Sequence, residues 1–472
     1  VLAKGGNAVD AAVAVSYALA MTEPYASGLG GGGGMIIYDP KEDQYYGLDY
    51  RDSAPVSHDT MDAPTGVPTF VLGMEEASQR YGTMSMGELI DPTIQLGKKG
   101  FEVSSVFAKY ISIYKYFLKN DSDYLNEDGE LLTKNEIMKP KEMLKTLASI
   151  RDEGSKGYYT GDVAEEIVAK SWLTHEDLAS ARVENAEPVK TTIAGNHYAS
   201  LPAPFSGVTL LQMLKMAEKE ELPNPEKSAD EYLDNYSRIK QLTYQDRVSN
   251  MGDPSVYNID SQSMLSDSYI EQLSQTPISS DNANQEEDSN NTTHFSIIDG
   301  DGMVVSATNT LGNFYGSEIE AGGFYLNAAN RLFSASGSGK NKYEAGKKPR
   351  NFTAPTIIKT ADEKTIAIGT PGGNMIPEFL FQVLYDHFHF STNFEETIEK
   401  NRIYYTKDNQ LVIENNPKRK DFISTSKIER TPFSLYRTDE YFGSVQIVEK
   451  DKNGIVSGGY DTRRNGSVSE SD

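Results

Sequence analysis

The run Asn290-Asn291-Thr292-Thr293-His294-Phe295-Ser296 joins a polar, acidic stretch (Asp281 to Asn291) to two threonines that open a strand-like segment. A chain cut between Asn291 and Thr292 would give Thr292 a free α-amine within reach of its own hydroxyl, one recognised way of activating a weak nucleophile. One residue would then supply both nucleophile and base. Threonine is also a good strand former, so Thr292 taken alone reads as a strand-edge residue. Two neighbours in the pattern shift the reading toward chemistry: the acidic run directly before it, and Gly372-Gly373 downstream. That glycine pair falls at a strand-to-helix junction, where free backbone N–H groups can face a developing oxyanion, although a plain tight turn has the same spelling.

Other groups carry their own alternatives. Arg51, in Leu48-Asp49-Tyr50-Arg51-Asp52-Ser53-Ala54-Pro55, directly follows a strand-like run. It is either salt-bridged to Asp52 or a neighbour, or a bidentate fork for a substrate carboxylate. Gly28-Leu29-Gly30-Gly31-Gly32-Gly33-Gly34 lacks the Gly-Lys-Ser/Thr that a phosphate loop needs. Its glycines fit a backbone that passes close to another sheet or to substrate. His387-Phe388-His389 sets two imidazoles on one face of an extended segment, but no carboxylate cluster completes a ligand set, so neither a metal nor any cofactor is expected.

The 472 residues exceed what one core usually serves, and one large layered domain or two joined halves both fit. Hydrophobic content of 38%, with 28 tyrosines and 18 phenylalanines, supplies a core and excludes wholesale disorder. The absence of cysteine removes thiol catalysis, disulfides and cysteine metal sites together. A net charge of −24 argues against nucleic acid as a partner. Against that background, Lys340, Lys342, Lys347, Lys348 and Arg350 form a basic island, with Arg463-Arg464 as a second basic spot. Such an island either holds an anionic substrate or is a solvated loop. The apolar run from Ala11 to Met21 is too short to span a membrane and is expected as buried helix. The chain opens inside this helix-like pattern, so an upstream segment, which could include a signal peptide, is expected to be missing.

Elements that must position these groups follow from periodicity. Short strands are expected at Met35 to Tyr38 and Gln44 to Asp49, then helices at Met86 to Lys98, Phe107 to Lys119, Lys141 to Asp152, Ala164 to Ser171 and Val208 to Lys219. Residues 281 to 291 read as a linker. Beyond it, Thr293 to Ile298 and Met303 to Thr308 flank Asp299-Gly300-Asp301-Gly302, a hairpin that makes Thr292 the first residue of a strand. A second pair, Pro355 to Lys359 and Lys364 to Ile368, leads through Gly369-Thr370-Pro371-Gly372-Gly373 into an apolar helix from Met375 to Asp386.

Five motifs in order, Gly5-Gly6-Asn7-Ala8-Val9-Asp10-Ala11-Ala12, Gly28 to Gly34, Arg51-Asp52-Ser53-Ala54-Pro55, Thr292-Thr293-His294-Phe295-Ser296 and Gly369-Thr370-Pro371-Gly372-Gly373, resemble the γ-glutamyltransferase family over nearly the whole chain. The resemblance implies an α+β fold, a four-layer αββα N-terminal-nucleophile sandwich, and self-cleavage into a large subunit, 1–291, and a small subunit, 292–472, that stay together as a heterodimer. It implies Thr292 as nucleophile, Thr310 as a supporting hydroxyl and Gly372 and Gly373 as oxyanion donors. Arg51 would clamp the substrate α-carboxylate, with Asn313, Arg350, Asn351 and Arg463 also on the substrate. The implied reaction is acyl transfer from a γ-amide, through a γ-glutamyl ester on Thr292, to water or an amine.

Departures from the family pattern point to a polymer. Glutathione-using members carry an acidic partner for the donor's α-ammonium near Arg331-Leu332, and a serine pair where this chain has Asn351-Phe352. A site without that anion favours a donor whose amine is already acylated, as inside γ-linked polyglutamate. The segment from Ser334 to Lys348 also looks shorter than the usual lid. These features are similar to members that cut capsule polyglutamate and pass it to a cell-wall peptide, which implies a secreted, cell-surface or cell-wall protein. The rivals are an ordinary transpeptidase acting on glutathione, an acylase for another amide, and a non-catalytic surface-binding relative.

Overall fold

The computed structural model describes residues 1–279, 291–334, 337, 339–391, 393–406, 408–429, 431–432 and 439–470. The expected linker therefore lies, but for Asn291, outside the described residues, as does part of the segment from Ser334 to Lys348.

Helix α1 (Ala8–Thr22) starts on a capping box: the Asn7 side chain accepts from the Val9 and Asp10 amides, and the Asp10 carboxylate takes the Asn7 N–H. Such a cap contributes about 1 kcal/mol. Asp10 also accepts from the Thr83 amide and hydroxyl, so the Gly-Gly-Asn-Ala-Val-Asp motif is a structural staple between the helix start and a distant loop. The helix leads through the glycine run to strands β1 (Gly32–Asp39) and β2 (Gln44–Tyr50), then to helices α2 (Phe70–Tyr81), α3 (Met86–Lys99) and α4 (Lys141–Glu153). Three short strands, β3 (Glu184–Asn185), β4 (Val189–Ile193) and β5 (Asn196–Ser200), precede helices α5 (Gly207–Lys219) and α6 (Ala229–Asn250). The second half supplies β6 (Asn291–Ile298), β7 (Val304–Gly312), β8 (Thr356–Lys359), β9 (Thr365–Gly369), helix α7 (Ile376–His389), β10 (Gln446–Lys450) and β11 (Val456–Tyr460).

These strands build two main sheets. One has the order β3-β2-β1-β7-β6 and the other β11-β10-β9-β8-β5-β4. Each sheet therefore mixes strands from before and after residue 291. Because successive side chains leave a strand on opposite faces, each sheet buries two different sets of residues. Met35, Ile37, Leu48, Phe295 and Val305 pack against α1 to α4. Their neighbours Ile36, Tyr38 and Val304 meet Ala199, Ile357 and Ala367 of the other sheet. The outer face of that second sheet, with Tyr198, Ile358, Ile366 and Ile447, is covered by α5, α6 and α7. The result is helix, sheet, sheet, helix, the four-layer arrangement expected. No helix of the described residues is long and apolar enough to cross a membrane.

The glycine run is required by close approach. A Cβ on Gly31 would stand 2.3 Å from the Thr310 carbonyl oxygen, and one on Gly33 would stand 2.4 Å from that of Thr308. Any side chain there would push β1 away from β7, the strand that carries Thr310.

Candidate active site

Thr292 sits at an edge strand where the ladder is irregular. Asn291 pairs with Gly312 and Thr293 with Asn309, so the single residue Thr292 opposes both Thr310 and Leu311. A β-bulge of this kind bends the strand and re-aims side chains. Here the Thr310 hydroxyl accepts from the Gly312 amide at 2.9 Å and donates to the Asn291 carbonyl oxygen at 2.6 Å. That oxygen belongs to the Asn291–Thr292 peptide bond. Asn291 is fully buried, and its side-chain amide donates to the carbonyls of Tyr25 and Asn313. Asn313 thus touches this site through its backbone.

Thr292 is 4% exposed and lines a cleft of about 430 Å³ with Glu23, Pro371, Gln446, Arg464 and Ser467. The Gly372-Gly373 turn adjoins this cleft through Pro371 and leads into α7. Gly372 has φ 144° and Gly373 φ 59°, conformations that favour glycine. Glu23, just past the end of α1, accepts from the Thr293 hydroxyl at 2.8 Å. Burial pushes the Glu23 carboxyl above its ordinary range, against the Thr293 bond and the Arg464 charge. An Arg464 N–H reaches toward the Thr292 carbonyl oxygen at 3.5 Å.

His294 is buried between Thr308 (2.9 Å) and Ser296 (3.1 Å), with Gly369 against its ring. Burial lowers it to about 3, so it is a neutral packing residue across the working pH range.

Arg51 lies in a second, much smaller cavity with Gly32, Asp52, Thr310, Leu332 and Asn351. Its guanidinium is 3% exposed and already forks onto Asp49, at 2.9 and 2.6 Å, while stacking on Phe205 at 4.6 Å. Of the salt bridges expected to Asp52 or a neighbour, the one formed is to Asp49. Asp52 keeps one carboxyl oxygen without a protein partner among the described residues, and burial raises it well above its usual value. The Asn351 side chain accepts from the Thr353 amide. At the position of the family's ammonium partner, Leu332 lines the cavity and Arg331 is solvent-exposed.

Several expectations need correction. Arg350 is buried and donates to the Arg247 and Val248 carbonyls, at the C-terminal end of α6, so it closes a helix instead of meeting substrate. The Arg463 side chain has no exposure and is held by Asp461 and Glu414 in an interior ion cluster. Of the basic island, Lys347 and Lys348 are also turned inward, whereas Lys340 and Lys342 stay partly exposed. Lys348 is buried on Asp49 and Glu184, and Lys347 on Glu344; burial holds both ammonium groups below their usual range. A buried acid such as Asp49 needs compensating cations, and the island supplies one. His387 and His389 fall on the end of α7 instead of an extended segment: His387 stacks on Phe394 and His389 bonds Glu218. Among the described residues no group of three acids or histidines could hold a metal.

Glu23 and Arg464 are what sequence reasoning missed. In the sequence Arg464 is one half of a basic pair, and nothing in the local spelling says which of two adjacent arginines turns outward. The choice comes from Asp461, which accepts from the Arg463 amide and guanidinium and so fixes the turn.

Comparison with known proteins gives a consistent outcome. A family model described as gamma-glutamyltranspeptidase matches residues 1–471. The chain is 38% identical to the capsule biosynthesis protein CapD proenzyme of Bacillus anthracis, across 99% of this chain and 87% of that protein. It is 31% identical to the glutathione hydrolase proenzyme of Bacillus subtilis, across 99% and 88%. A crystal structure of the Bacillus anthracis transpeptidase enzyme CapD superposes with TM-score 0.51 over 57% of this chain and 92% of that one, at 38% identity. The cephalosporin acylase of Bacillus halodurans superposes with TM-score 0.85 over 99% and 92%; at 23% identity it supports the fold alone.

Proposed function

The chain belongs to the γ-glutamyltranspeptidase family, and from that premise we propose that it is a self-processing γ-glutamyl transferase and hydrolase acting on γ-linked polyglutamate. The observation that carries this reading is the Thr310 hydroxyl on the carbonyl oxygen of the Asn291–Thr292 bond, at a bulge that opens on a cleft.

In the uncut chain the Thr292 hydroxyl attacks the Asn291 carbonyl carbon, and the Thr310 hydroxyl meets the negative charge that grows on the oxygen. The C–N bond gives way to an ester, which water hydrolyses. The products are a large subunit, 1–291, and a small subunit, 292–472, whose new N-terminal amine belongs to Thr292. Each sheet joins a block of strands from one half to a block from the other, which supports a heterodimer that stays assembled.

The cut enzyme then uses Thr292 on its substrate. Its α-amine takes the hydroxyl proton as Oγ attacks a γ-amide carbonyl, and the Gly372 and Gly373 amides stabilise the oxyanion. The leaving amine departs protonated, and the γ-glutamyl ester passes to water or to another amine such as a cell-wall peptide. Arg51 and Asn351 are the donor-side contacts on this reading, with Arg51 partly releasing Asp49 to take a carboxylate.

Polyglutamate is favoured over glutathione on two grounds. Leu332 occupies the donor cavity where a counter-anion would sit, and Asp52, the acid present there, is held toward its neutral form by burial. The 38% relative is also named for capsule biosynthesis, whereas the 31% relative is named for glutathione. A polymer that coats a cell places the enzyme at the cell surface.

Intact mass of the purified protein, followed by incubation with γ-linked polyglutamate and chromatography of the products, tests the proposal. Two fragments divided before Thr292, together with shortened polymer, are expected. Full-length chain and untouched polymer would overturn it; cut chain that turns over glutathione but not polymer would overturn the substrate alone.

A further inference from the structure

The turn that carries Gly372 and Gly373 is held by two side-chain hydroxyls, one before it and one after it. Thr370, buried directly after β9, accepts from the Ser444 amide at 3.0 Å and donates to the Pro371 carbonyl oxygen at 2.7 Å. Beyond the glycines, the Tyr244 hydroxyl of α6 donates to the Asn374 carbonyl oxygen at 2.6 Å. Between these two struts the Met375 amide donates to the Gly372 carbonyl oxygen at 3.3 Å.

Each bond falls on a particular peptide unit. A trans peptide keeps its C=O and N–H in one plane and pointing oppositely, so a hydrogen bond that fixes the oxygen also aims the N–H of the next residue. The Pro371 carbonyl shares its unit with the Gly372 N–H. The Gly372 carbonyl shares its unit with the Gly373 N–H, and it is held by Met375, whose N–H shares a unit with the Asn374 carbonyl that Tyr244 grips. Thr370 therefore aims one glycine amide directly, and Tyr244 aims the other through one intervening peptide. With φ of 144° and 59° and no Cβ, the two glycines restrict these planes little by themselves, so bonds from outside the turn must do it. Accepting a bond at the oxygen also polarises each unit and makes its N–H a stronger donor.

Both struts are seated. A Cβ on Gly443 would stand 2.8 Å from the Pro371 carbonyl oxygen and from the Thr370 hydroxyl, so the backbone before Ser444 lies closely over that bond. The Tyr244 ring takes the Lys240 ammonium at 4.9 Å and stacks on Phe352 at 6.2 Å. The Asn291 carbonyl oxygen, in contrast, is served by Thr310.

We propose that Thr370 and Tyr244 are positioning residues that orient the Gly372 and Gly373 amides for the oxyanion of the substrate reaction, and that neither is needed for self-cleavage. This rests on the acyl-transfer reading above, in which those amides meet the oxyanion. Tyr244 precedes residue 291 and the turn follows it, so a helix of the large subunit braces the oxyanion donors of the small one. An assembled heterodimer is then a condition of turnover, beyond its part in holding the sheets together.

The test compares wild type with Thr370→Val, Thr370→Ser, Tyr244→Phe and Gly372→Ala for the time course of self-cleavage and for kcat and KM in hydrolysis of γ-linked oligoglutamate. Thr370→Val and Tyr244→Phe should each lower kcat about tenfold, less than the roughly 10²–10³-fold cost of losing a whole oxyanion donor, and leave KM and self-cleavage within about twofold of wild type. Thr370→Ser, which keeps the hydroxyl, should recover most of the loss. A merely structural role would instead slow self-cleavage, or raise KM, in step with the fall in kcat, and that result overturns the proposal. Wild-type kcat in Thr370→Val, or in Thr370→Ala should the valine variant fail to fold, overturns the role of Thr370; wild-type kcat in Tyr244→Phe overturns that of Tyr244. Gly372→Ala disturbs the turn itself, by a Cβ 3.2 Å from the Phe379 ring at a φ of 144°. If it alone loses turnover, the oxyanion reading stands and the two struts fall. If it turns over like wild type, the assignment of the glycine amides falls, and this inference with it.

Discussion

Around Arg51 the charges are saturated, whereas around Thr292 they are sparse and face a cleft. Asp49 accepts two bonds from Arg51 and lies 3.5 Å from Lys348, which is itself 3.7 Å from Glu184. Burial opposes the ionised Asp49, yet Arg51 and Lys348 together hold its carboxyl below the usual carboxylate range. Around Thr292, the described residues that line the cleft include two charged side chains, Glu23 and Arg464, among hydroxyl, amide and apolar groups. The first region is organised to keep charge in place inside the protein, and each member depends on the others. The second places a few charges at the wall of an open cleft. Thr310 joins them: it lines the Arg51 cavity, and its hydroxyl reaches the Asn291 carbonyl.

That contrast can be broken most directly at the nucleophile. Thr292→Ala should remain one chain with no detectable polymer cleavage, read by intact mass; a variant that still divides would move the nucleophile elsewhere. Next in size, Thr310→Val should slow self-cleavage by about 10²–10³-fold, the usual cost of one oxyanion donor, with the fold retained. The time course of fragment appearance measures it, and unchanged kinetics would reduce Thr310 to a ladder hydroxyl.

The comparison itself is sharpened by pairing two arginines. Arg51→Ala strands a buried Asp49 and should cost about 3–5 kcal/mol of stability, seen as a lower urea midpoint. Arg464→Ala, which removes the group reaching toward the Thr292 carbonyl, should leave that midpoint nearly in place and lower turnover about tenfold, the size of one lost charge-assisted contact. Equal loss of stability in both would erase the distinction between the regions.

The last test concerns His294. Below its ordinary value of 6.5 the unfolded chain binds a proton there, which the native chain refuses until about 3. Stability therefore falls as pH drops through that window, by about 1.4 kcal/mol per pH unit while the difference of one proton lasts. His294→Gln should flatten that part of the acid limb in urea midpoints collected against pH. A slope identical to wild type would assign the acid sensitivity to other groups.

Periodicity was enough for much of the scaffold. The hairpin around Asp299-Gly300-Asp301-Gly302 and the strand pair leading to Gly369 are present, with Thr292 one residue inside its strand. The helix expected over Phe107 to Lys119 divides at Tyr114, whose φ of −96° and ψ of 18° interrupt the ladder. Local pattern cannot report such a break, because the apolar spacing continues through it.

What the sequence determined by itself is whatever depends on neighbours in the chain: strand alternation, the Asn7–Asp10 cap, and two threonines at the start of a strand. Its ordered motifs also identified the family. The tertiary structure decided which charges are spent. Lys347, Lys348, Arg350 and Arg463 look like a binding surface when read in a line, and each turns inward to a partner such as Glu344, Asp49, the end of α6 or Asp461. Glu23 and Arg464 are 441 positions apart, and only the stacking of the layers brings them to Thr292. Burial and opposite charge select a partner through space, and neither leaves a mark on local spacing.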